Sequence, residues 1–396
     1  MSQKRVMIVG ASALQLPMIK KAKELGYNVG VVDYNPDAVG IPFADRYYNV
    51  STIDPEGVCA ASKQFCADGI TTVGTDMPMR AIAYTCETLG LIGLDSETAV
   101  RATDKASMIR AFEENDVPHP WFFVAKSGNV DEIRSRLTYP CICKPTDNSA
   151  SRGVMVIRSE DELRQAVNYS SENGRSGDVI IEELLTGSEI SVEAFAVDGQ
   201  VHVLAITDKL TTGSPYFVEM GHNQPSKFVG KEKESIIDVT AKAMKAVGIK
   251  NGPAHVEMMV TSEGPKLIEL GARLGGDFIT TDLVPLSTGI DMLGATIHLA
   301  CGEPVDLEPK FKMASAVRYM KTGFGRIEAI YNLDKANSIP GIRRVEMSKG
   351  IGDWAVEIRN SLDRIGYAIA QGKTGDEATR LCYQALDTVE VVIREE

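Results

Sequence analysis

Residues 254–276 read AHVEMMVTSEGPKLIELGARLGG. Two apolar runs flank Thr261-Ser262-Glu263-Gly264, which has the composition of a tight turn. The pattern predicts a β-hairpin. With the turn centred near residue 263, Glu257 and Glu269 become direct cross-strand partners. Each sits among apolar neighbours: Val256 and Met258 on one strand, Ile268 and Leu270 on the other. Opposed carboxylates repel each other and are costly to bury. A divalent cation between them relieves both problems, and hard carboxylate oxygens suit Mg²⁺. The plainer alternative is a solvated hairpin face, or two glutamates paired with lysines. Arg273 follows in a loop with Gly271, Gly275 and Gly276. Glycines let a backbone approach a ligand closely, and arginine grips a phosphate or carboxylate with two bonds. Alone, this loop also reads as an ordinary turn.

Further signals lie upstream. Lys144 ends an apolar run and precedes the loop PTDNSASRG, a cation beside backbone N–H groups that could cradle phosphate. It is not a Walker A loop, because G-x-x-x-x-G-K is absent. The segment VIIEELLTGSE runs from a strand into Glu182, Glu183, Leu184 and Leu185, whose backbone could meet an adenine edge. Glu189 follows seven residues after Glu182 and could accept from ribose hydroxyls. Asp104-Lys105 falls inside a helix expected over residues 98–115, where a surface ion pair is the plain alternative.

The frame around these motifs is that of an ordinary globular protein. At roughly 100–200 residues per domain, 396 residues imply two to four domains. The formal charge of −12 argues against nucleic acid or an anionic membrane as partner. The N-terminal apolar run, residues 6–9, is too short for a signal-peptide core, and no stretch reaches the ~18 apolar residues of a membrane span. The seven cysteines include no C-x-x-C, and Cys141 and Cys143 fall on one face of an expected strand. That usage predicts reduced thiols in a cytoplasmic protein.

The first hundred residues alternate strand and helix, as a parallel, helix-covered sheet requires. RVMIVG and YNVGVVDYN are strands; helices are expected from Asp54 and over Met79–Leu89. After residue 139 the chain changes to a dense mixture of short strands and helices.

In order, D-K, K-P with a Gly/Ser loop, E-E-x-x-x-G-x-E, H-x-E and E-x-G-A-R-x-G-G resemble the ATP-grasp superfamily over roughly residues 4–305. The resemblance implies an α/β and α+β protein. Residues 1–97 would be the pre-ATP-grasp parallel-sheet domain, and residues 98–305 the ATP-grasp fold, two α+β subdomains clamping ATP, with a lid subdomain at about 120–184. Residues 306–396 would be a C-terminal α+β domain. By similarity, Lys105 and Lys144 contact the phosphates and Ser151-Arg152-Gly153 form the lid loop. Glu182, Glu183, Leu184 and Leu185 form the adenine hinge, with Glu189 on ribose. Glu257 and Glu269 hold Mg²⁺, with Mn²⁺ as the alternative metal, and Arg273 stabilises the transferring phosphoryl group.

The family commonly has Asn two residues after the second metal glutamate; here that position is Gly271. The E-x-G-A-R form resembles the L-amino-acid ligase branch, and it puts a third protein ligand for the metal in question. The branch implies an ATP-dependent carboxylate–amine ligase acting on small molecules through an acyl phosphate. In that branch a stretch similar to residues 215–226 lies beside the acceptor site, so Glu219 or His222 would hold substrate from a loop. Relatives allow a homodimer, but no interface signal is legible. Two alternatives share the motif order: a purine-pathway relative that carboxylates or formylates a ribonucleotide, and an inactive ATP-binding regulator. Two leads are set aside. Ala243-Met244-Lys245 resembles a biotin site but falls in an amphipathic helix, and Gly10-x-Ser12 lacks the dinucleotide fingerprint.

Overall fold

The protein is described by a computed structural model covering residues 3–126, 130–148, 152–214, 216–321 and 323–394. Strands Arg46–Asn49, Asn28–Asp33, Arg5–Val9 and Gly69–Thr71 lie in that order in a four-stranded sheet, every pair parallel. Alternate residues of the first strand feed different cores. Met7 and Val9 pack with Val58 and Phe65 of the helix Pro55–Phe65, while Val6 and Ile8 pack with Met18 and Ile19 of the helix Leu16–Glu24. A parallel strand covered on both faces must be apolar where it is covered, and this one is from Val6 to Val9. Asp54 caps its helix by accepting from the Gly57 N–H, and the helix Met79–Leu89 has the expected bounds.

The single helix expected over residues 98–115 is two, Ser96–Thr103 and Lys105–Glu114. Asp104 separates them. Its carboxylate accepts from the Ser107 N–H at 2.8 Å, a bond available only to a residue outside the helix. Lys105 is therefore the first residue of the second helix.

A second four-stranded sheet holds Phe122–Ala125, Val179–Glu183, Cys141–Pro145 and Met155–Ile157, all antiparallel. Cys141 and Cys143 are buried in its core beside Leu163 and Val167, and all seven cysteines are unpaired. The largest sheet has eight strands. Its order is Gly264–Gly271, Gly252–Thr261, Ser188–Val197, Gln200–Thr211, Glu219–Gln224, Ala314–Tyr319, Gly366–Gly372 and Ile342–Met347. The glutamate hairpin is thus one edge, and strands from the last hundred residues complete the other.

The stretch read as a loop over 215–226 contains the strand Glu219–Gln224, because it pairs on both sides, with Gln200–Thr211 and Ala314–Tyr319. The helix Gly230–Val247 ends at Gly248 in the left-handed conformation with Met244 buried, so Lys245 is on no hairpin tip. Among the described residues no single helix is long and apolar enough to cross a membrane.

Candidate active site

The hairpin brings the two glutamates together by a route the turn alone does not supply. Thr261 pairs with Gly264, which would place Ile268 opposite Glu257 in a regular ladder. A bulge intervenes: Met258 pairs with Leu267 and Glu257 with Glu269, leaving Ile268 as the extra residue. Both glutamates then line one cleft.

Most of the expected site residues line this same cleft. Lys105, Lys144, Arg152, Glu182 and Glu183 do so, and so do Leu184, Leu185, Glu189, Glu219 and Arg273. Ser151 lies outside the described residues. Gly153 is buried and does not line the cleft. It has φ +78° and packs on Pro145 and Asn173, where a Cβ would come within 2.8 Å of each. Its part is to let the loop fold onto the sheet. His222 is also off the cleft: on its strand it is 1% exposed, its Nε2 3.7 Å from Asp277.

Buried charge in the cleft is paired throughout. Lys105 donates to Glu269 and to the Asn148 carbonyl, both at 2.8 Å. Lys144 reaches Glu182 on the neighbouring strand at 2.5 Å. Glu183 meets Lys266 at 3.3 Å. Arg273 grips Asp76 with two bonds of 2.9 Å. Burial alone would push the Lys105 ammonium down, but Glu269 beside it more than offsets this and raises it. Arg273 follows the same logic: burial lowers it, Asp76 raises it, and the net direction is up.

Three residues of this cluster, Lys209, Asp76 and Glu193, were not anticipated, whereas His255 is the hydrogen-bonded histidine its place two residues before Glu257 suggests. Lys209 lies 2.6 Å from Glu189, 3.2 Å from Glu257 and 3.6 Å from Glu219. Asp76 follows the strand Gly69–Thr71, and the carboxyl end of a parallel strand is where such sheets present ligand groups, so a topological signal for it existed. His255 stands between Glu193 at 2.6 Å and Glu257 at 3.2 Å. Burial pushes its imidazolium down, but the two carboxylates, Glu193 foremost, raise it to about 9. Glu193 and Lys209 sit on strands with no distinguishing pattern.

Residues 137–282 match the family described as ATP-grasp domain, and residues 322–394 match L-amino acid ligase C-terminal domain 2. The chain contains an ATP-grasp domain and, after it, an L-amino acid ligase C-terminal domain. Alanine–anticapsin ligase of Bacillus subtilis is 28% identical to this chain over 325 residues, 75% of this chain and 67% of its own. The solved L-amino acid ligase of Bacillus licheniformis is 21% identical with TM-score 0.85, covering 99% of each chain, a likeness of fold. Phosphoribosylglycinamide synthetase from Anaerococcus prevotii is 25% identical with TM-score 0.81, covering 99% of this chain and 100% of its own. The protein is an ATP-binding enzyme of the ligase class.

ATP-grasp enzymes work with a divalent cation, so the donor set can be tested against one. Among the described residues no group of three or more His, Cys, Asp or Glu side chains could hold a metal. A cation held by protein alone does not fit. A cation that brings phosphate and water oxygens does, because it needs only the carboxylates of Glu257 and Glu269.

The structure also accounts for Gly271. A Cβ there would stand 2.9 Å from Asp76 Oδ1 and 3.0 Å from Arg273 Cζ. The Asp76–Arg273 pair occupies the space a third metal-ligating side chain would need. Gly275 leaves room for the His255–Glu193 pair, since a Cβ there would lie 2.6 Å from His255 Nδ1 and 3.0 Å from Glu193 Oε2.

Proposed function

We propose that this protein is an ATP-dependent carboxylate–amine ligase that forms an amide through an acyl phosphate. The observation that carries the reading is Glu257 opposite Glu269 in one cleft with Lys105, Lys144 and Arg273. We take residues 1–97, 98–305 and 306–396 as its three units.

Leu184 and Leu185 would offer backbone groups to adenine beside Glu182 and Glu183, and Glu189 would accept from ribose. Lys105 and Lys144 would neutralise the phosphates, with Arg152 in the loop above them. Glu257 and Glu269 would hold Mg²⁺ together with phosphate oxygens, and the ion would cancel charge on the transferring group.

A substrate carboxylate oxygen attacks the γ-phosphorus, the bond to the β-phosphate bridge oxygen breaks, and ADP leaves. Arg273, oriented by Asp76, sits where charge develops on the phosphoryl group and then on the acyl oxyanion. An amine next attacks the acyl carbon, phosphate departs with the carbon–oxygen electron pair, and the amine proton goes to solvent. Glu219 lines the cleft and suits the ammonium of an amino-acid substrate. No protein nucleophile is required; positioning and exclusion of water do the work.

The match of residues 322–394 to an L-amino acid ligase domain favours amino acids as substrates. The 25% identity to a phosphoribosylglycinamide synthetase supports a second reading, in which the acceptor is a ribonucleotide precursor. Phosphate release screened over amino-acid pairs and over phosphoribosylamine-type acceptors separates the two. Release with a specific amino-acid pair, with ADP as the nucleotide product, supports the first reading. Release only with a phosphorylated ribose substrate replaces it by the second, and AMP in place of ADP excludes the acyl-phosphate route.

A further inference from the structure

Lys209 is more enclosed than either lysine assigned to phosphate. Its side chain is 3% exposed, against 11% for Lys105 and 10% for Lys144. Three carboxylates meet at its ammonium: Glu189 at 2.6 Å, Glu257 at 3.2 Å and Glu219 at 3.6 Å. The reading above gives these carboxylates three separate tasks, on ribose, metal and substrate. One buried cation therefore ties together the groups given all three tasks.

The second metal glutamate is held in the same way, with Lys105 Nζ 2.8 Å from Glu269. Each carboxylate of the pair thus already carries an ammonium. A free divalent cation would have to displace both lysines, and each is so enclosed that its ammonium would be left buried without its carboxylate, which is costly. A polyphosphate removes that obstacle. It draws Lys105 away from Glu269, because a phosphate chain carries more charge than one carboxylate. Lys209 can then release Glu257 and still keep Glu189 and Glu219, so it is never left alone.

We infer that Lys209 is the resident counter-ion of the metal-binding carboxylates, and that with Lys105 it bars a free divalent cation until the nucleotide arrives. The inference rests on the assignment of Glu257 and Glu269 to metal. It makes metal and nucleotide binding reciprocally linked, each strengthening the other. Lys209 is a positioning residue in this scheme and transfers no group itself.

The test uses Mn²⁺ as the probe, with free Mn²⁺ followed by electron paramagnetic resonance in the absence of nucleotide. The native protein should bind Mn²⁺ weakly alone and tightly with ATP. Lys209→Met should bind Mn²⁺ without nucleotide at least about tenfold more tightly than the native protein, because Glu257, Glu189 and Glu219 lose their ammonium. Lys209→Arg, which keeps the charge, should behave as the native protein does. If Lys209→Met fails to fold, the double variant Lys209→Met/Glu219→Gln keeps the net charge of the cluster, and a smaller tightening is expected, because Glu257 and Glu189 still lose their ammonium. Native protein that binds Mn²⁺ equally with and without ATP overturns the inference, as does a folded Lys209→Met or Lys209→Met/Glu219→Gln variant with no gain. Turnover of the native protein without any divalent cation would instead remove the metal assignment. Retained Mg²⁺ dependence with no gain in the variants removes only the role of Lys209.

Discussion

Asp76 and Arg273 form a doubly bonded ion pair, 2.9 Å on each arm, between residues 197 apart in the chain. The pair joins the end of the parallel-sheet segment to the loop after the glutamate hairpin. It fixes the direction of the Arg273 guanidinium in the cleft, and it closes the space beside Gly271.

Removing either member should show this coupling. Arg273→Lys keeps a charge but loses the planar fork, so kcat/KM should fall about 10²–10³-fold. Asp76→Asn should cost about tenfold or more by releasing the guanidinium. Because both changes break the same pair, the double variant should be far less impaired than the product of the single effects. Strictly multiplicative losses in phosphate release would show that Asp76 does not act through Arg273.

Gly271→Ala should be harmful although alanine is the smallest side chain available. Its Cβ would stand 2.9 Å from Asp76 and 3.0 Å from Arg273, both inside van der Waals contact, and the pinned carboxylate cannot move without breaking the pair. Overpacking of this kind costs about 1–3 kcal/mol, enough to lower the melting temperature by several degrees and to reduce turnover. An alanine variant with native melting and turnover would refute the steric account.

Glu269→Ala should abolish metal-dependent turnover while the protein stays folded. The expected loss in kcat is at least about 100-fold, read by phosphate release, with circular dichroism confirming the fold. The same variant should lose the rise in melting temperature that ATP plus Mg²⁺ produces in the native protein. Unchanged activity would remove Glu269 from the metal site.

A pH effect should arise from Asp277, which does not line the cleft of Glu257 and Glu269. Burial alone would raise its carboxyl, but the nearby His222 ring and two bonds from Arg364, each 2.9 Å, hold it far below its ordinary value. The folded value is depressed relative to the unfolded one. Its contribution is therefore complete above about pH 4 and is lost as pH falls below that. Asp277→Asn should lower stability at neutral pH by about 3–5 kcal/mol, since it leaves Arg364 buried and unpaired, and should flatten the acid limb of the stability curve. Denaturant melts between pH 3 and 7 test this, and an acid limb as steep in the variant as in the native protein would exclude Asp277 as its source.

Much of this architecture was legible in the residues. The apolar run at Val6–Val9, the cap at Asp54 and the glutamate hairpin were each readable because their signals are local. Local reasoning failed where two interactions competed. Residues 98–115 have one helical pattern, yet the Asp104 carboxylate takes a backbone N–H and breaks it into two. The residues around His222 looked polar and loop-like, but strand partners on both sides made them a buried strand.

The order of short motifs along the chain determined the family and named most residues of the cleft, because each motif is a few residues of backbone with fixed chemistry. The tertiary structure decided how those residues pair. The bulge at Ile268 sets Glu257 opposite Glu269, where the turn alone would have missed by one residue. Lys209 and Asp76 enter the site only through folding, as their partners lie on other strands and loops. The physical reason is that a buried charge must be neutralised by whatever group the fold brings within a few ångströms, and sequence spacing carries no record of that distance.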